Sequence, residues 1–366
     1  MKIVADENIP HAEALFSSLG ELVLKPGRSL SASEVNDADA LVLRSVTKVN
    51  ASLLESSQVR FVGTCTIGTD HLDVDYLTQR GVAFASAPGC NANAVVQYVV
   101  CALSELGALR KGAKVAIIGC GNVGSRVYRA LTALGLDCVG IDPYLKSTAQ
   151  MRIVPFEAVY EADIICMHTP LVQAGPYPTA GLINLSQLSE LKKGAVLLNA
   201  GRGECIDNSD LLRFCQAGGE LRLVLDVWEN EPDINVALVD YVDIATPHIA
   251  GYSFEGKING ATMVFRALAR HLGREESWIN ARISDFEEKY FGPEKTLTEP
   301  SLAALCAMTY RVHDDHRALV RARDKLPASF DHLRKHYPMR REFSHYRPVN
   351  ADLPRATLES LGFNCV

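Results

Sequence analysis

The sequence predicts an α/β protein that contains two doubly wound parallel sheets flanked by helices. Short apolar runs alternate with helical patterns over most of the chain, which is typical of parallel strands joined by crossover helices. One of these apolar runs leads directly into a glycine-rich turn near residue 120. With 366 residues the chain exceeds one hydrophobic core, so we expect two or three domains.

The first sheet is predicted from residues 1–94, which carry no glycine-rich fingerprint of their own. Its strands are predicted at Ile3–Ala5, Leu41–Leu43, Phe61–Gly63 and Val82–Ala85. Residues Ala94–Leu109 are apolar at helical spacing and lead into the next unit. We therefore expect this helix to link two α/β domains.

The second unit begins with the apolar run Lys114–Ile118, which is followed by the glycine-rich turn and a helix predicted over Val123–Leu134. Gly119 permits a tight turn, Gly121 lets the backbone approach a pyrophosphate, and Gly124 lets helix and strand pack closely. The N–H groups at the start of the helix attract the anion. The predicted cofactor-binding residues of this turn are Gly119, Gly121, Asn122, Val123 and Gly124.

A carboxylate follows the second strand of this unit. The strand is predicted over Asp137–Ile141, and Asp142 comes 18 residues after Gly124. A carboxylate at this position accepts hydrogen bonds from the adenosine ribose hydroxyls and repels a 2'-phosphate. The sequence therefore predicts NAD, and not NADP, as the cofactor.

Three candidate catalytic side chains follow later strands of the same unit. Arg202 lies in a glycine-flanked turn, Glu231 precedes a proline, and His248 follows one. Ligands of doubly wound folds bind at the edge where the strands end, so these side chains are expected near the cofactor. The strands themselves are predicted at Ile164–Met167, Ala195–Asn199, Leu223–Val227 and Val242–Ala245.

The three side chains match what hydride transfer at C2 of a 2-hydroxy acid requires. The planar fork of Arg202 can bind a carboxylate and polarise the C2 oxygen. His248 can take the hydroxyl proton. Glu231 can bond one ring nitrogen of His248 and favour the charged imidazolium.

The last part of the chain differs in composition. A helix predicted over Ile258–Leu272 can cross back to the first domain, and from about Asp285 the sequence becomes charged and rich in histidine and arginine. This tail is expected to be ordered, because it carries enough apolar residues for a core. They are Leu302, Leu305, Leu319, Leu326, Phe330, Leu333, Leu358, Leu361 and Phe363.

Composition excludes several classes of protein. Apolar residues make up 48% and charged residues 22% of the chain, and no stretch is apolar enough to span a membrane. A net charge of −6 argues against a nucleic-acid surface. The ten cysteines form no Cys-x-x-Cys pair and the histidines have no metal-ligand spacing, so no metal is expected. With no signal peptide at the N-terminus, we expect a cytoplasmic protein.

Residues 1 to about 272 resemble the D-isomer-specific 2-hydroxyacid dehydrogenases. The motifs that carry the resemblance are His168 to Leu171, Gly181 to Asn184, Asn199 to Gly203, Asp226 to Pro232 and Thr246 to His248. The resemblance implies that the catalytic residues are Arg202, Glu231 and His248. It also implies cofactor contacts at Asp142, Thr169 and Asp226, the last near the carboxamide.

Finer features resemble one branch of that family, whose members carry an added C-terminal dimerisation domain. These features are Arg44–Thr47, Val62–His71, Ala87–Ala92, Gly175–Tyr177, His248–Tyr252 and Glu255–Lys257. The likeness implies a homodimer that acts on a small phosphorylated hydroxy acid. It also implies that Ser45, Thr66 and Tyr252 contact the substrate, and that Gly251 contacts the cofactor.

The resemblance also implies a division into three domains. A flavodoxin-like substrate-binding domain would comprise residues 1–94 and 254–284, and a Rossmann NAD-binding domain residues 95–253. A smaller α+β dimerisation domain would comprise residues 285–366.

Alternatives remain at this point. The chain could oxidise another D-2-hydroxy acid such as 3-phosphoglycerate, although the loop Thr66–Gly68 and Gln97 depart from the common family pattern and argue against a generic substrate. It could also be an NAD-sensing binding protein, or a structural homodimer that binds NAD incidentally. The cation that would bind a substrate phosphate is also open among Arg44, Lys257 and the arginines of the tail.

Overall fold

The computed structural model describes residues 1–365 of the chain. The strands, in chain order, are β1 (Lys2–Asp6), β2 (Glu21–Lys25), β3 (Ala40–Leu43), β4 (Phe61–Thr64), β5 (Ala83–Ala85), β6 (Lys114–Ile118), β7 (Asp137–Ile141), β8 (Ile164–Met167), β9 (Val196–Asn199), β10 (Arg222–Leu225), β11 (Ile244–Ala245), β12 (Lys295–Leu297) and β13 (Tyr346–Pro348). The α-helices are α1 (Ala12–Phe16), α2 (Ala32–Val35), α3 (Ala51–Leu54), α4 (Val74–Gln79), α5 (Ala92–Glu105), α6 (Gly124–Ala133), α7 (Leu185–Glu190), α8 (Asn208–Gln216), α9 (Val236–Val239), α10 (Phe254–His271), α11 (Glu276–Phe291), α12 (Leu302–Thr309), α13 (Val312–Ala322), α14 (Ala328–Lys335) and α15 (Arg355–Leu361).

The chain forms two compact units. The first contains Met1–Asn91 and Ser253–Pro293, and the second contains Ala92–Tyr252 together with the residues from Glu294 onward. The first unit is therefore discontinuous in sequence, because helices α10 and α11 join the sheet formed by the N-terminal residues.

The sheet of the first unit has five parallel strands in the order β2-β1-β3-β4-β5, which is the flavodoxin-like order. Alternate side chains of a strand enter opposite cores. Ile3 and Ala5 of β1 join the core shared with α1, α10 and α11, whereas Val4 joins the core shared with α2, α3 and α4. Burial on both faces explains why the sequences of these strands are mostly continuous apolar runs.

Helix α10 begins earlier than the apolar pattern predicts. It starts at Phe254 and not at Ile258, because the hydroxyl of Ser253 accepts a hydrogen bond of 2.8 Å from the N–H of Gly256 and caps the first turn. α10 is the longest helix among residues 1–365, and neither it nor any other described helix is both long and apolar enough to cross a membrane.

The sheet of the second unit has six parallel strands in the order β11-β10-β9-β8-β6-β7. The predicted bounds of β6, β7 and β8 agree with the structure. A single parallel bridge between Gly140 and Ile153 lies beside β7. If this bridge is counted as a reduced strand, the order becomes 3-2-1-4-5-6-7, which is the 3-2-1-4-5-6 order of dinucleotide-binding sheets with β11 added as a seventh strand. The prediction of two parallel α/β sheets is thus confirmed.

The C-terminal tail packs against the second sheet and its helices. Helix α12 packs on α5, α15 packs on α6, and α13 lies against β11. Leu305 and Leu358 are buried in the same core as β6 residue Val115, and Leu319 and Phe330 are buried in the core on the other side of the sheet. The tail and the nucleotide-binding unit therefore share their apolar cores.

The boundary predicted at residue 285 falls inside helix α11, which continues to Phe291. From Glu294 onward the tail belongs to the second compact unit, because its helices bury their apolar faces on that unit and not only on one another. The tail is of α+β type, since it combines four helices with the parallel pair β12 and β13. Its role in dimerisation stays a prediction.

The shared core can be tested with Phe330→Ala. Phe330 is fully buried, so we expect the free energy of unfolding to fall by about 3–5 kcal/mol in urea titrations. The control Met339→Ala removes a side chain that is 74% exposed, and its effect should stay within about 0.5 kcal/mol. A cost below about 1 kcal/mol for Phe330→Ala would contradict a core shared by the tail and the sheet.

Candidate active site

The candidate residues of the second unit come directly after its strands, at the carboxyl ends of those strands. Because the strands are parallel, these residues lie at one edge of the sheet. The glycine turn follows β6, and the other candidates follow the later strands in chain order: Asp142 (β7), Thr169 (β8), Arg202 (β9), Asp226 and Glu231 (β10), and His248 (β11).

The glycine-rich turn has the geometry expected of a pyrophosphate cradle. Gly119 has a φ of 83°, and a Cβ atom there would lie 2.8 Å from the backbone nitrogen of Thr169. A Cβ on Gly124 would lie 1.9 Å from the carbonyl oxygen of Gly119. At Gly121 nothing lies within 4 Å of the Cβ position, so the backbone is open to a ligand at the start of α6.

Asp142 organises the same turn. Its Oδ2 accepts a hydrogen bond of 3.0 Å from the N–H of Cys120, and its Oδ1 accepts one of 3.1 Å from the N–H of Tyr144. A carboxylate has about four lone-pair sites, so two remain for ribose hydroxyls. The turn, the helix and this carboxylate together fit NAD.

Thr169 lies on the inner side of this cradle. Its side chain is buried, and its hydroxyl donates to the sulfur of Cys205 at 3.3 Å. A Cβ on Gly201 would lie 2.9 Å from the Thr169 carbonyl oxygen, so the loops after β8 and β9 pack backbone to backbone. A cofactor contact by the Thr169 hydroxyl stays a prediction.

A buried amide shapes the turn that carries Arg202. The side chain of Asn199 accepts from the N–H of Gly201 at 3.0 Å and donates to the carbonyl of Arg202 at 2.9 Å. A Cβ on Gly203 would lie 2.0 Å from the backbone carbon of Trp228, so only glycine fits there. The guanidinium of Arg202 is half-buried and donates to the Gly201 carbonyl at 2.9 Å. This geometry explains the Asn-x-x-Arg-Gly spacing.

Glu231 and His248 form a direct pair. Nδ1 of His248 lies 2.7 Å from Oε2 of Glu231, and Oε1 of Glu231 accepts from the N–H of Trp228 at 2.9 Å. Burial acts to raise the pKa of Glu231, but the charge of His248 and the hydrogen bonds from His248 and Trp228 outweigh it. The pKa of Glu231 is therefore lower than usual.

The loop that carries His248 depends on Asp226. Its carboxylate is 1% exposed and accepts from the Thr246 hydroxyl at 2.7 Å, from the N–H of Ile249 at 2.7 Å and from the N–H of Ala250 at 2.9 Å. Burial raises the pKa of Asp226, while the charge of His248 and these hydrogen bonds act in the opposite direction. Three of about four lone-pair sites are used, which leaves one for the predicted cofactor contact.

A second histidine lies at the same edge. His168 follows β8, and neither of its ring nitrogens has a hydrogen-bond partner among the described residues. Burial lowers the pKa of His168 to about 4, so its ring is uncharged near neutral pH. His248 is the stronger candidate for a proton acceptor, because it has a carboxylate partner that stabilises its charged form.

Ser45 and Thr66 belong to the first unit, where they follow the neighbouring strands β3 and β4. Ser45 is exposed in a turn. The Thr66 hydroxyl lies 2.8 Å from that of Thr64, so it also has a local role. The guanidinium of Arg44 pairs with the buried carboxylate of Asp6, with Nε 2.9 Å from Oδ2.

The tail supplies residues around the His248 loop that the sequence patterns did not single out. Gly251 and Tyr252 are half-buried in this loop. Arg334 lies 5.6 Å from the centroid of the Tyr252 ring, and Tyr337 makes an edge contact with the same ring at 5.9 Å. Arg340 donates to the carbonyl of Ala250. These contacts join residues far apart in sequence, so no local motif could have predicted them.

A dinucleotide cradle on the same sheet edge as an arginine, a glutamate and a histidine defines a class of protein, the NAD-dependent 2-hydroxyacid dehydrogenases. In agreement, the family model of the D-isomer specific 2-hydroxyacid dehydrogenase NAD-binding domain matches residues 102–250. A second model, described as a domain of unknown function, matches residues 286–362.

Curated relatives narrow the assignment. Erythronate-4-phosphate dehydrogenase of Teredinibacter turnerae is 50% identical over 366 residues, which covers 100% of this chain and 99% of that protein. The enzyme of the same name from Saccharophagus degradans is 51% identical and covers 100% of both chains. The protein belongs to the erythronate-4-phosphate dehydrogenase family.

Solved structures of more distant proteins share the fold. D-lactate dehydrogenase from Aquifex aeolicus, complexed with NAD and lactic acid, has a TM-score of 0.63 and 21% identity and covers 78% of this chain and 98% of that one. NAD+-bound 3-phosphoglycerate dehydrogenase from Entamoeba histolytica has a TM-score of 0.63 and 22% identity and covers 75% and 95%. At these identities the likeness concerns the fold alone.

Cofactor choice can be tested with Asp142→Ser. Loss of the carboxylate should reduce the preference for NADH over NADPH by about tenfold or more, equivalent to roughly 1.4 kcal/mol, as measured by fluorescence titration. NADH binding should also weaken, because Cys120 loses its hydrogen-bond acceptor. Asp137→Ser is the matched control, since it removes the same charge from the far end of β7. Equal affinity of the unaltered protein for NADH and NADPH would contradict the role of Asp142.

Proposed function

We propose that the protein oxidises 4-phospho-D-erythronate with NAD to (R)-3-hydroxy-2-oxo-4-phosphooxybutanoate, a step in the biosynthesis of pyridoxal 5'-phosphate (vitamin B6). The strongest support is the 2.7 Å hydrogen bond between Glu231 and His248 at the sheet edge that also carries Arg202 and the dinucleotide cradle. The names of the curated relatives support the choice of acid.

His248 is proposed to take the proton of the C2 hydroxyl. Because the lowered pKa of Glu231 keeps its carboxylate ionised, the carboxylate accepts from Nδ1–H and directs the neutral ring to use Nε2 as the base. When Nε2 gains the proton, the imidazolium pairs with the Glu231 carboxylate. The pair therefore orients the base first and stabilises its charge afterwards.

Arg202 is proposed to bind the substrate carboxylate and to polarise the C2 oxygen. NAD, which the glycine-rich turn and Asp142 would hold, would supply the hydride acceptor for oxidation of the C2 alcohol to a ketone. The Asn199 side chain fixes the turn around Arg202, which limits the positions available to its guanidinium.

We propose Ser45, Thr66 and Tyr252 as further substrate contacts and Gly251 as a cofactor contact. Hydroxyl groups suit a phosphorylated, hydroxylated chain. The candidate phosphate-binding cations are Arg44, which pairs with Asp6, Lys257, which is exposed on α10, and the tail arginines. A homodimer formed through residues 285–366 and a cytoplasmic location are part of the same proposal and rest on the family resemblance.

A substrate panel tests the proposed activity. Purified protein with NAD and a system that reoxidises NADH should turn over 4-phospho-D-erythronate with a kcat/KM at least about 100-fold above that for 3-phosphoglycerate or D-lactate. His248→Gln should lose nearly all turnover and still bind NADH. A preference for 3-phosphoglycerate would overturn the substrate assignment. Dinucleotide binding without turnover of any acid would instead favour a sensing protein.

Glu231→Gln tests the coupled pair. The change removes the negative charge that favours the imidazolium over the neutral ring. In the pH profile of kcat for hydroxy-acid oxidation, the acid limb should then move to lower pH by about one unit or more, and the maximum rate should be lower. Glu229→Gln is the matched control, because the Glu229 carboxylate accepts from the N–H of Asn208 and not from His248. An acid limb that stays in place in Glu231→Gln would refute the coupling.

A further inference from the structure

The C-terminal tail contacts the His248 loop at three places. The N–H of Ala245, just before the loop, donates to Nδ1 of His316 at 3.0 Å. The carbonyl of Ala250 accepts from Arg340, and the ring of Tyr252 lies against Arg334. The tail therefore reaches the loop before, within and after the turn that presents the candidate base.

A buried polar cluster holds this part of the tail in place. Arg340 is 5% exposed, and its guanidinium carbon lies 4.4 Å from the centroid of the Tyr310 ring. The hydroxyls of Tyr310 and Tyr337 both donate to Oδ2 of Asp315, at 2.7 and 2.8 Å. The two hydroxyls and the Asp315 carboxylate, which satisfy one another in this way, tie helix α13 to the segment that follows α14.

Arg334 extends from this support towards the catalytic pair. It lies on α14, between the ring of Phe330, at 6.0 Å, and the ring of Tyr252, at 5.6 Å, and it hydrogen-bonds the Tyr252 side chain. Phe330, one helical turn before Arg334 on α14, is fully buried in the core of the sheet and anchors this part of the helix. The positive charge of Arg334 also helps to lower the pKa of Glu231.

We propose that Arg334 is a positioning residue for the Glu231 and His248 pair, and that the tail thereby contributes to catalysis within its own chain. The inference rests on the proposed roles of Glu231 and His248. The guanidinium holds Tyr252, which fixes the end of the His248 loop, and its charge partly offsets the negative charge of Glu231. The tail, whose family model is described as a domain of unknown function, would thus have a role besides the predicted dimerisation.

The charges around the pair determine the direction of the expected effect. His248 faces the carboxylates of Glu231 and Asp226, and Arg334 from α14 acts on Glu231. Without the arginine, the field of Glu231 at the imidazole is less compensated, so the imidazolium becomes more stable. Because the neutral ring is the base, oxidation would then need a higher pH. Loss of Arg334 and loss of the Glu231 charge should therefore move the acid limb in opposite directions.

The experiment compares three variants of the full chain through pH profiles of kcat for hydroxy-acid oxidation. Arg334→Met should move the acid limb to higher pH by roughly half a unit and should lower kcat. Arg334→Lys keeps the charge and should restore the limb. Lys335→Met removes an exposed charge from the same helix and should leave the profile unchanged. NADH affinity should be the same in all three.

Including Glu231→Gln separates two kinds of failure. If the limb of Glu231→Gln stays in place, the proposed function of the pair fails. If that limb moves but Arg334→Met has no effect, or Lys335→Met moves the limb equally, only the role of Arg334 is overturned. Should Arg334→Met fail to fold, Arg334→Gln keeps a hydrogen-bond donor for Tyr252 without the charge and provides the same readout.

Discussion

The candidate site depends most on the hydrogen bonds that the buried carboxylate of Asp226 accepts. It binds one hydroxyl and two consecutive N–H groups of the His248 loop, and the Asp226 carbonyl accepts from the N–H of His248 at 2.7 Å. These bonds hold His248 at a φ of 55°, a left-handed conformation that is costly for a residue with a Cβ. Such strain persists only where the surroundings over-determine the backbone, and the tail contacts at Ala245 and Ala250 add to that constraint.

Local sequence signals predicted most of the fold, because strands buried on both faces are short, apolar and separated by turns. Strand β6 was predicted to the residue for this reason. Strand β2 (Glu21–Lys25) was missed, since it lies at the edge of its sheet, is only partly buried and has charged residues at both ends. Helix α10 was predicted too short because its first turn depends on the Ser253 cap more than on apolar periodicity.

Only those residues of the candidate site that come soon after a strand could be predicted from the sequence. Arg202, Glu231 and His248 each stand a few residues after a strand end, so their placement on one edge follows from the topology. The support from the tail could not be inferred in this way. Arg340 and Ala250 are 90 residues apart. Their hydrogen bond depends on how the tail helices pack against the sheet, and neither composition nor periodicity predicts that packing. From sequence alone, aromatic and arginine residues in a charged tail could be assigned equally well to solvent-exposed or to buried positions.

Three carboxylates at the sheet edge share one physical role before any chemistry begins. Asp142 binds the N–H of Cys120, Asp226 binds the N–H groups after His248, and Glu231 binds the N–H of Trp228. Each charge therefore stabilises the backbone of a loop and, at the same time, sets the electrostatic field in which a ligand would react. A substitution that removes such a charge also loosens the loop, so a reduced rate alone cannot separate the two effects. The position of the acid limb can separate them. Loop disorder lowers the fraction of active enzyme at every pH, whereas a changed field alters the pH at which the base gains its proton.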